Sequence, residues 1–370
     1  MNHSIALEND VTRTDLEMAD GRTIRYYDQG ATARSAVDKR EAEVPAGIGE
    51  LRHDALLDEW VAVASHRQHR IFLPPKELCP LCPTKSDLLT EIPDSTYQVA
   101  VFDNRSPSLN TAKGGWSLPE FDGVQTPVPD AVGKCEVVAY TDSHEGSLGD
   151  LDLARHLLIL TALRDRTSEI SKLPDIVQVF PFENRGEEVG VTLDHPHGQI
   201  YAYSYLTPRT RQMLDVASNH LKKTGRVLLD DIVLREIKDE IRIVTANEHW
   251  LAFVPFASRF PFEIHVAPKQ SVADLTELSL AQCAAYPEIA KEVLLRLDGV
   301  FGMKMAYMAG WHQAPVSIGR DALRLHWQIT SVRRAPGKLK YFSGSESMMG
   351  AFIQDVPPEQ AALQLREVKL

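Results

Sequence analysis

The densest chemistry in this 370-residue chain is Asp194-His195-Pro196-His197-Gly198-Gln199-Ile200. It follows Phe182-Glu183-Asn184-Arg185-Gly186 by a short, glycine-containing interval and runs into Ile200-Tyr201-Ala202-Tyr203, which is apolar and β-prone. A strand through the motif would set His195 and His197 on one face and Pro196 on the other. Neutral imidazole is a good nucleophile near pH 7 when an acceptor holds its second nitrogen. Phosphorus is an electrophile that suits it, because attack gives a phosphoramidate that can be passed to a second acceptor. Gln199 lies two residues on, where its NH2 can donate to a phosphoryl oxygen as charge builds. Glycine between the two lets a ligand approach the backbone closely. These residues point to nucleotidyl or phosphoryl transfer through histidine.

Two other clusters carry chemistry. In Ser65-His66-Arg67-Gln68-His69-Arg70, Arg67 and Arg70 are three apart and could fork around one phosphate. Cys79-Pro80-Leu81-Cys82-Pro83 has the form of a zinc knuckle, in which two thiolates occupy two corners of a tetrahedron. Candidates for the remaining corners are His144 and His195. Cys135 and Cys283 stand in apolar surroundings and are expected to be small core residues.

The elements that must position these residues follow from periodicity. Strands are predicted at Glu59–Ala64, Tyr97–Phe102, Gly133–Tyr140 and Asp175–Pro181, the last ending in a Phe-Glu-Asn-Arg-Gly turn. A helix is predicted from an N-cap at Asp150 to about Lys172, and a second from Thr210 to Lys223, ended near Gly225. Residues 1–47 look like a flexible N-terminal lead, with one strand at Thr23–Tyr27. The order then repeats in weaker form. Strands at Trp250–Phe256 and Phe262–Ala267, a helix over about 272–297 that Pro287 could break, and a strand at Met303–Met308 follow. A turn at Gly310-Trp311-His312 and a closing Leu325-His326-Trp327-Gln328-Ile329 complete the set. The order implies a duplicated α/β unit in which only the first copy keeps the reactive residues.

Composition sets the bounds. Charged residues at 25% and apolar residues at 44% describe an ordinary globular chain, and the net charge of −11 disfavours a nucleic-acid-wrapping surface. Phosphate binding must then come from local arginine and lysine. No apolar run is long enough to span a membrane, and the N-terminus lacks a basic-then-apolar signal pattern. Four cysteines, two of them in C-x-x-C, fit metal binding in a reducing cytoplasm better than a disulfide framework.

Taken in order, these motifs resemble the galactose-1-phosphate uridylyltransferase family of the histidine-triad superfamily. The resemblance runs from about Arg52 to the C-terminal region. It rests on Trp60-Val61 with Ser65–Arg70, Cys79-Pro80-Leu81-Cys82, Val101-Phe102-Asp103-Asn104, Phe182–Gly186, His195–Gln199, Gly310-Trp311-His312, Leu325–Gln328 and Lys340 with Gly344-Ser345-Glu346. It implies an α+β fold: a duplicated histidine-triad-like unit, mostly antiparallel sheet flanked by helices, with the first half at 48–225 and a degenerate second half at 226–370. It implies that His197 is the nucleophile and becomes uridylylated by UDP-glucose, and that galactose 1-phosphate then takes the group to give UDP-galactose. Gln199 would bond the transferred phosphoryl. Arg67, Arg70, Phe102, Asn104, Asn184 and Thr192 would hold the nucleotide or its phosphates. Lys340 and Glu346 would meet the phosphates and sugar from a partner subunit, since the family is typically a homodimer. Structural Zn2+ on Cys79, Cys82, His144 and His195 would pin the strand beside the nucleophile.

The sequence departs from the family in places. Of a second metal site of one glutamate and three histidines, only His312 and His326 remain; Gln328 and Met213 stand at the other positions, so that site is expected to be absent or weak. Ser345 replaces a tyrosine, and Arg105 stands where an acid is usual. The rival on the same scaffold is a nucleotidyltransferase or phosphorylase acting on ADP-sugars or dinucleoside polyphosphates. Gly198 and the C-x-x-C favour uridylyl transfer.

Overall fold

The computed structural model describes residues 3–42, 47, 49–69, 73–111 and 129–370. Its strands, in chain order, are β1 (His3–Ala6), β2 (Val11–Glu17), β3 (Thr23–Gln29), β4 (Glu50–Asp54), β5 (Glu59–Val63), β6 (Val99–Asp103) and β7 (Gly133–Ala139). They continue with β8 (Gln178–Arg185), β9 (His197–Tyr203), β10 (Ile243–Ala246), β11 (Trp250–Phe253), β12 (Phe262–Pro268), β13 (Tyr307–His312) and β14 (His326–Ser331), and end in a short pair, β15 (Arg333–Ala335) and β16 (Lys338–Leu339). The helices are α1 (Leu153–Ile170), α2 (Pro208–Thr224), α3 (Leu228–Asp239), α4 (Leu280–Gly299), α5 (Gly344–Met349) and α6 (Pro358–Glu367).

Twelve strands form one sheet in the order β1-β2-β3-β6-β7-β9-β8-β13-β14-β12-β11-β10, while β4 and β5 make a separate hairpin. Each neighbouring pair within the sheet is antiparallel. The order is symmetric about the β8–β13 seam. On one side stand β9, β7 and β6; on the other stand β14, β12 and β11. Each set runs strand, strand, helix, strand, strand along the chain, with α1 and α4 as the helices, so the duplicated unit is present in three dimensions.

One face of this sheet is covered by α1 and α4. Val101, Val138, Ile200 and Ala202 of the first unit and Ile264, Val266, Trp327 and Ile329 of the second share one buried cluster with both helices. Full burial of each valine or isoleucine among them stabilises the fold by about 1.5–3 kcal/mol before entropy is charged against it. The opposite face carries the polar residues. Along β9 burial alternates strictly, with Gly198, Ile200 and Ala202 inward and His197, Gln199, Tyr201 and Tyr203 half-exposed.

Several elements differ from their sequence-based prediction. The N-terminal segment is not a loose lead: β1–β3 extend the sheet through β3–β6 pairing, and Ile24, Tyr26 and Tyr27 are fully buried. Helix α1 is capped by Asp152, whose side chain accepts from the Arg155 N–H, because Asp150 is held by Lys304 and Ser147. Helix α4 starts at a Ser279–Gln282 capping box and runs through Pro287, whose ring is buried within the core face. Phe182, Glu183 and Asn184 belong to β8, and the turn falls at Gly186 with φ +96°. Gly310 is likewise inside β13. A Cβ there would lie 2.4 Å from Cζ of Phe180, so this glycine makes room for a ring rather than a turn. Helix α2 packs through Met213, Leu214 and Ala217 on Ala273, Ala314 and Leu323, so it belongs with the second unit and lies before the boundary expected at 225/226.

Candidate active site

Strand β9 begins at His197, and His195 and Pro196 lie in the bend before it. The two imidazoles therefore meet different neighbours instead of forming one platform. The His197 Nδ1–H donates to the carbonyl of His195 at 2.7 Å, which leaves Nε2 with its lone pair free. Burial pushes the His197 pKa below the usual imidazole value, so the ring is neutral near pH 7. Gly198 sits under this arrangement: a Cβ on it would fall 2.0 Å from the Tyr140 hydroxyl oxygen and 2.9 Å from the Phe182 carbonyl oxygen.

Register carries the site across the sheet. Gln199 stands opposite Phe182 on one side and Val137 on the other, and Val137 stands opposite Phe102. Asn184 lies two residues beyond Phe182 on the same face of β8 and pairs with Met308 of β13. Phe180 stacks on Phe182 at 5.7 Å, and Phe182 meets Tyr201 edge-on at 5.1 Å. Arg67 donates to the Ser106 carbonyl at 2.9 Å and reaches the Tyr201 hydroxyl at 3.4 Å. The Asn104 side-chain oxygen accepts from the Ser106 N–H at 2.9 Å. His197, Gln199, Phe102, Asn104, Asn184 and Arg67 thus converge on one face. Tyr201, Phe180 and Phe182 were missed as site residues, although the period of two counted outward from His197 and Asn184 would have found them.

Thr192 lies in the loop before the motif, and its carbonyl accepts from the Leu73 N–H. Arg70 falls outside the described residues. Lys340 and Glu346 are bound to each other at 2.5 Å. The Glu346 carboxylate also accepts from the N–H groups of Ser343 and Ile353, so in this chain the pair caps α5.

A second constellation stands next to the motif. One ligand atom from each of Cys79, Cys82, His144 and His195 lies within 4.8 Å of the others. Cys82 Sγ is 3.5 Å from Nδ1 of His144 and 3.6 Å from Nδ1 of His195. The His195 Nε2–H donates to the Thr141 carbonyl at 2.7 Å, with the Tyr97 hydroxyl 3.0 Å away. That contact turns Nδ1 toward the thiols, and Tyr97 is itself anchored on the Leu81 carbonyl inside the knuckle. Two thiols, two imidazoles and a held tautomer fit a tetrahedral, borderline-soft divalent ion. The knuckle packs with Tyr26, Phe102 and Ala139, which ties this cluster to the wall of the site.

His312 and His326, the two residues retained from the second metal set that is expected to be absent or weak, are engaged with each other and with Gln328. His312 stacks on His326 at 4.9 Å, and its Nε2–H donates to the Gln328 side-chain oxygen at 2.8 Å. The Gln328 amide donates to Glu263, which also meets His265 at 3.2 Å.

Comparison with known proteins gives the same outline. Residues 43–207 match the family described as galactose-1-phosphate uridyl transferase, N-terminal domain, and residues 212–370 match its C-terminal domain. The chain is 40% identical to the galactose-1-phosphate uridylyltransferase of Streptomyces lividans, over 96% of this chain and 98% of that one. It is 34% identical to the Thermotoga maritima protein of the same name, over 87% and 99%. A solved uridylyltransferase structure superposes with TM-score 0.77 at 32% identity, covering 86% of this chain and 98% of that one. An Arabidopsis thaliana ADP-glucose phosphorylase shares the fold at TM-score 0.66 and 22% identity.

Proposed function

This chain belongs to the galactose-1-phosphate uridylyltransferase family and exchanges UMP between UDP-glucose and galactose 1-phosphate; from that premise we propose that His197 carries the uridylyl group between the two half-reactions. The carrying observation is the Nδ1–H contact to the His195 carbonyl, which leaves Nε2 as the free nucleophilic nitrogen. Nε2 attacks the α-phosphorus, a P–N bond forms, and the bond to glucose 1-phosphate breaks with the electron pair leaving on its phosphate oxygen. The positive charge that develops on the ring is shared through Nδ1–H with the held carbonyl. A phosphate oxygen of galactose 1-phosphate then attacks, the P–N bond breaks, and the neutral imidazole returns. The sugar phosphates differ at one hydroxyl, so the exchange is near thermoneutral and one site serves both in turn.

Gln199, facing the same space, donates its amide to a non-bridging oxygen. Arg67 and Asn104 serve the nucleotide phosphates, with Arg70 and Thr192 in the same role. Phe102 and Asn184 hold the nucleotide. Structural zinc fits Cys79, Cys82, His144 and His195; when bound it supplies a rigid anchor and no group to the reaction. Lys340 and Glu346 act from the partner of a homodimer, a reading supported by the exposed Tyr341, Met348 and Met349 beside them. The net charge of −11 supports small phosphorylated partners over nucleic acid, and no helix among the described residues is long and apolar enough to cross a membrane. Four cysteines that form no disulfide, together with substrates of sugar metabolism, support a cytoplasmic setting.

Intact-protein mass spectrometry with UDP-glucose alone tests the central claim. A uridylyl adduct on His197 that is discharged by galactose 1-phosphate is the expected result. An adduct only with an adenine nucleotide donor, or on another residue, would overturn it.

A further inference from the structure

The second unit repeats the geometry of the first around a different opening. His326 and Gln328 begin β14 as His197 and Gln199 begin β9. The Nδ1–H of His326 also donates to the carbonyl two residues earlier, that of Arg324, at 3.3 Å. Gln328 stands opposite His265 on β12, and His265 stands opposite Phe253 on β11. In the first unit the same two steps lead from Gln199 through Val137 to Phe102. Phe253 therefore holds the place in the second unit that Phe102 holds in the first.

These residues open onto a groove of about 820 Å³ between α2, α3 and the second half of the sheet. Phe253, Phe256, Met213, Val216 and Ile232 supply apolar walls, and His265 and His326 form the floor. At one end stand Arg209 and Arg259. The other charged lining groups are largely neutralised: Arg235 pairs with Asp239, Arg242 with Glu236, and Asp231 with Arg226. Arg324 donates to Ser271 and to backbone carbonyls. Glu263, nearest the two arginines, spends one oxygen on His265 and Gln328 and the other on the backbone N–H groups of Arg259 and Phe260. Among the described residues, no ion pair ties Arg209 or Arg259 to a carboxylate. Arg209 is an exposed residue; packing around its guanidinium and then the neighbouring Arg259 disfavour its charge, and Glu263 favours it.

We propose that this groove is a second, non-transferring binding site for a nucleoside phosphate, with the phosphate on Arg209 and Arg259 and the base against the exposed ring of Phe256, while the buried Phe253 backs the floor. Its volume is that of a small-molecule pocket, and its makeup of apolar walls with a few convergent polar groups is that of a ligand site. Two guanidiniums without a carboxylate partner among the described residues, that of Arg259 lying over the Phe352 ring at 5.0 Å, select a phosphoryl group, and the flat ring of Phe256 selects a planar base. Transfer is excluded by Gln328. Its amide is committed to His312 and Glu263, whereas that of Gln199 has no side-chain partner among the described residues. The assignment of a nucleotide rests on reading the first unit as a nucleotide site.

The test is isothermal titration of the full chain with UMP. Two UMP per chain are expected. Arg209→Gln with Arg259→Gln should weaken one of them at least tenfold, while the UDP-glucose exchange rate stays within twofold. Ile232→Trp, which fills the groove without removing charge, should do the same and guards against a folding defect in the double variant. One UMP per chain in the unaltered protein, or two that survive both variants, overturns the proposal. The histidine adduct is scored separately: a chain that labels His197 yet binds one UMP loses the groove alone, and a chain that never labels loses the transfer reading.

Discussion

Gly198→Ala isolates the link between packing under β9 and the chemistry above it. On backbone grounds alone, alanine in a strand should stabilise by about 0.5–1 kcal/mol over glycine. Here the new Cβ would lie 2.0 Å from the Tyr140 hydroxyl oxygen and 2.9 Å from the Phe182 carbonyl oxygen. Ordinary contact needs about 3.4 Å, so Tyr140 or β9 must move by roughly 1.4 Å, and overpacking of this kind costs about 1–3 kcal/mol. Tyr140 is wedged in the shared core with Leu148 and Ile159, so the strand is expected to give. His197 and Gln199 flank the glycine, and a displacement near 1 Å costs on the order of 10²-fold in rate. The assay is the rate of uridylyl-adduct formation by quenched-flow mass spectrometry, with calorimetric melting alongside. Adding Tyr140→Phe removes the nearest clashing atom and should recover about tenfold of the loss, although 2.9 Å contacts to the ring Cζ at position 140 and to the Phe182 carbonyl oxygen remain. A Gly198→Ala protein with unaltered rate and melting temperature would refute the reasoning, as would a Tyr140→Phe addition that recovers nothing.

Other expectations follow from single contacts. His197→Gly should abolish the adduct while the protein stays soluble and keeps its metal; loss of folded protein would mark the histidine as structural. Cys79→Ser should lower zinc content by elemental analysis and melt earlier, with activity falling indirectly, and unchanged metal would sink the four-residue cluster. Burial raises the Glu183 carboxyl to about 7, with the Tyr307 hydroxyl donating to it. Its contribution to stability is therefore fully present below about 4.5 and lost as pH rises through about 7. Glu183→Gln should consequently be more stable than the unaltered protein at pH 8, by up to about 3 kcal/mol, and melt higher, with the difference vanishing near pH 4.5. Equal melting temperatures at pH 8 would show that Glu183 is not a buried charge.

What could be read along the chain was what depends on near neighbours. The spacing in His197-Gly198-Gln199 places both side chains on one face of β9, because a strand repeats every two residues. The ending of α2 at Gly225, with φ +69°, is also a local matter, since an αL residue there costs glycine nothing. The Cys79 and Cys82 thiols were visible as half a site for the same reason. Where several local choices were equivalent, the sequence misled. Asp150 and Asp152 are both competent caps, and only Lys304, far along the chain, decides between them.

The tertiary structure alone decided what long-range pairing controls. That β3 joins β6, and so makes a lead into a sheet edge, depends on backbone hydrogen bonds between segments with no sequence signature for each other. That Arg67 reaches Tyr201, and that His144 meets His195, follows from loops closed by the sheet and not from spacing. The β8–β13 seam is of the same kind. By joining two units edge to edge, it sets Phe180 beside His312 at 5.5 Å and makes one continuous polar face from two separate motifs. Periodicity tells a residue which way to face; only the partner strand tells it what it will find there.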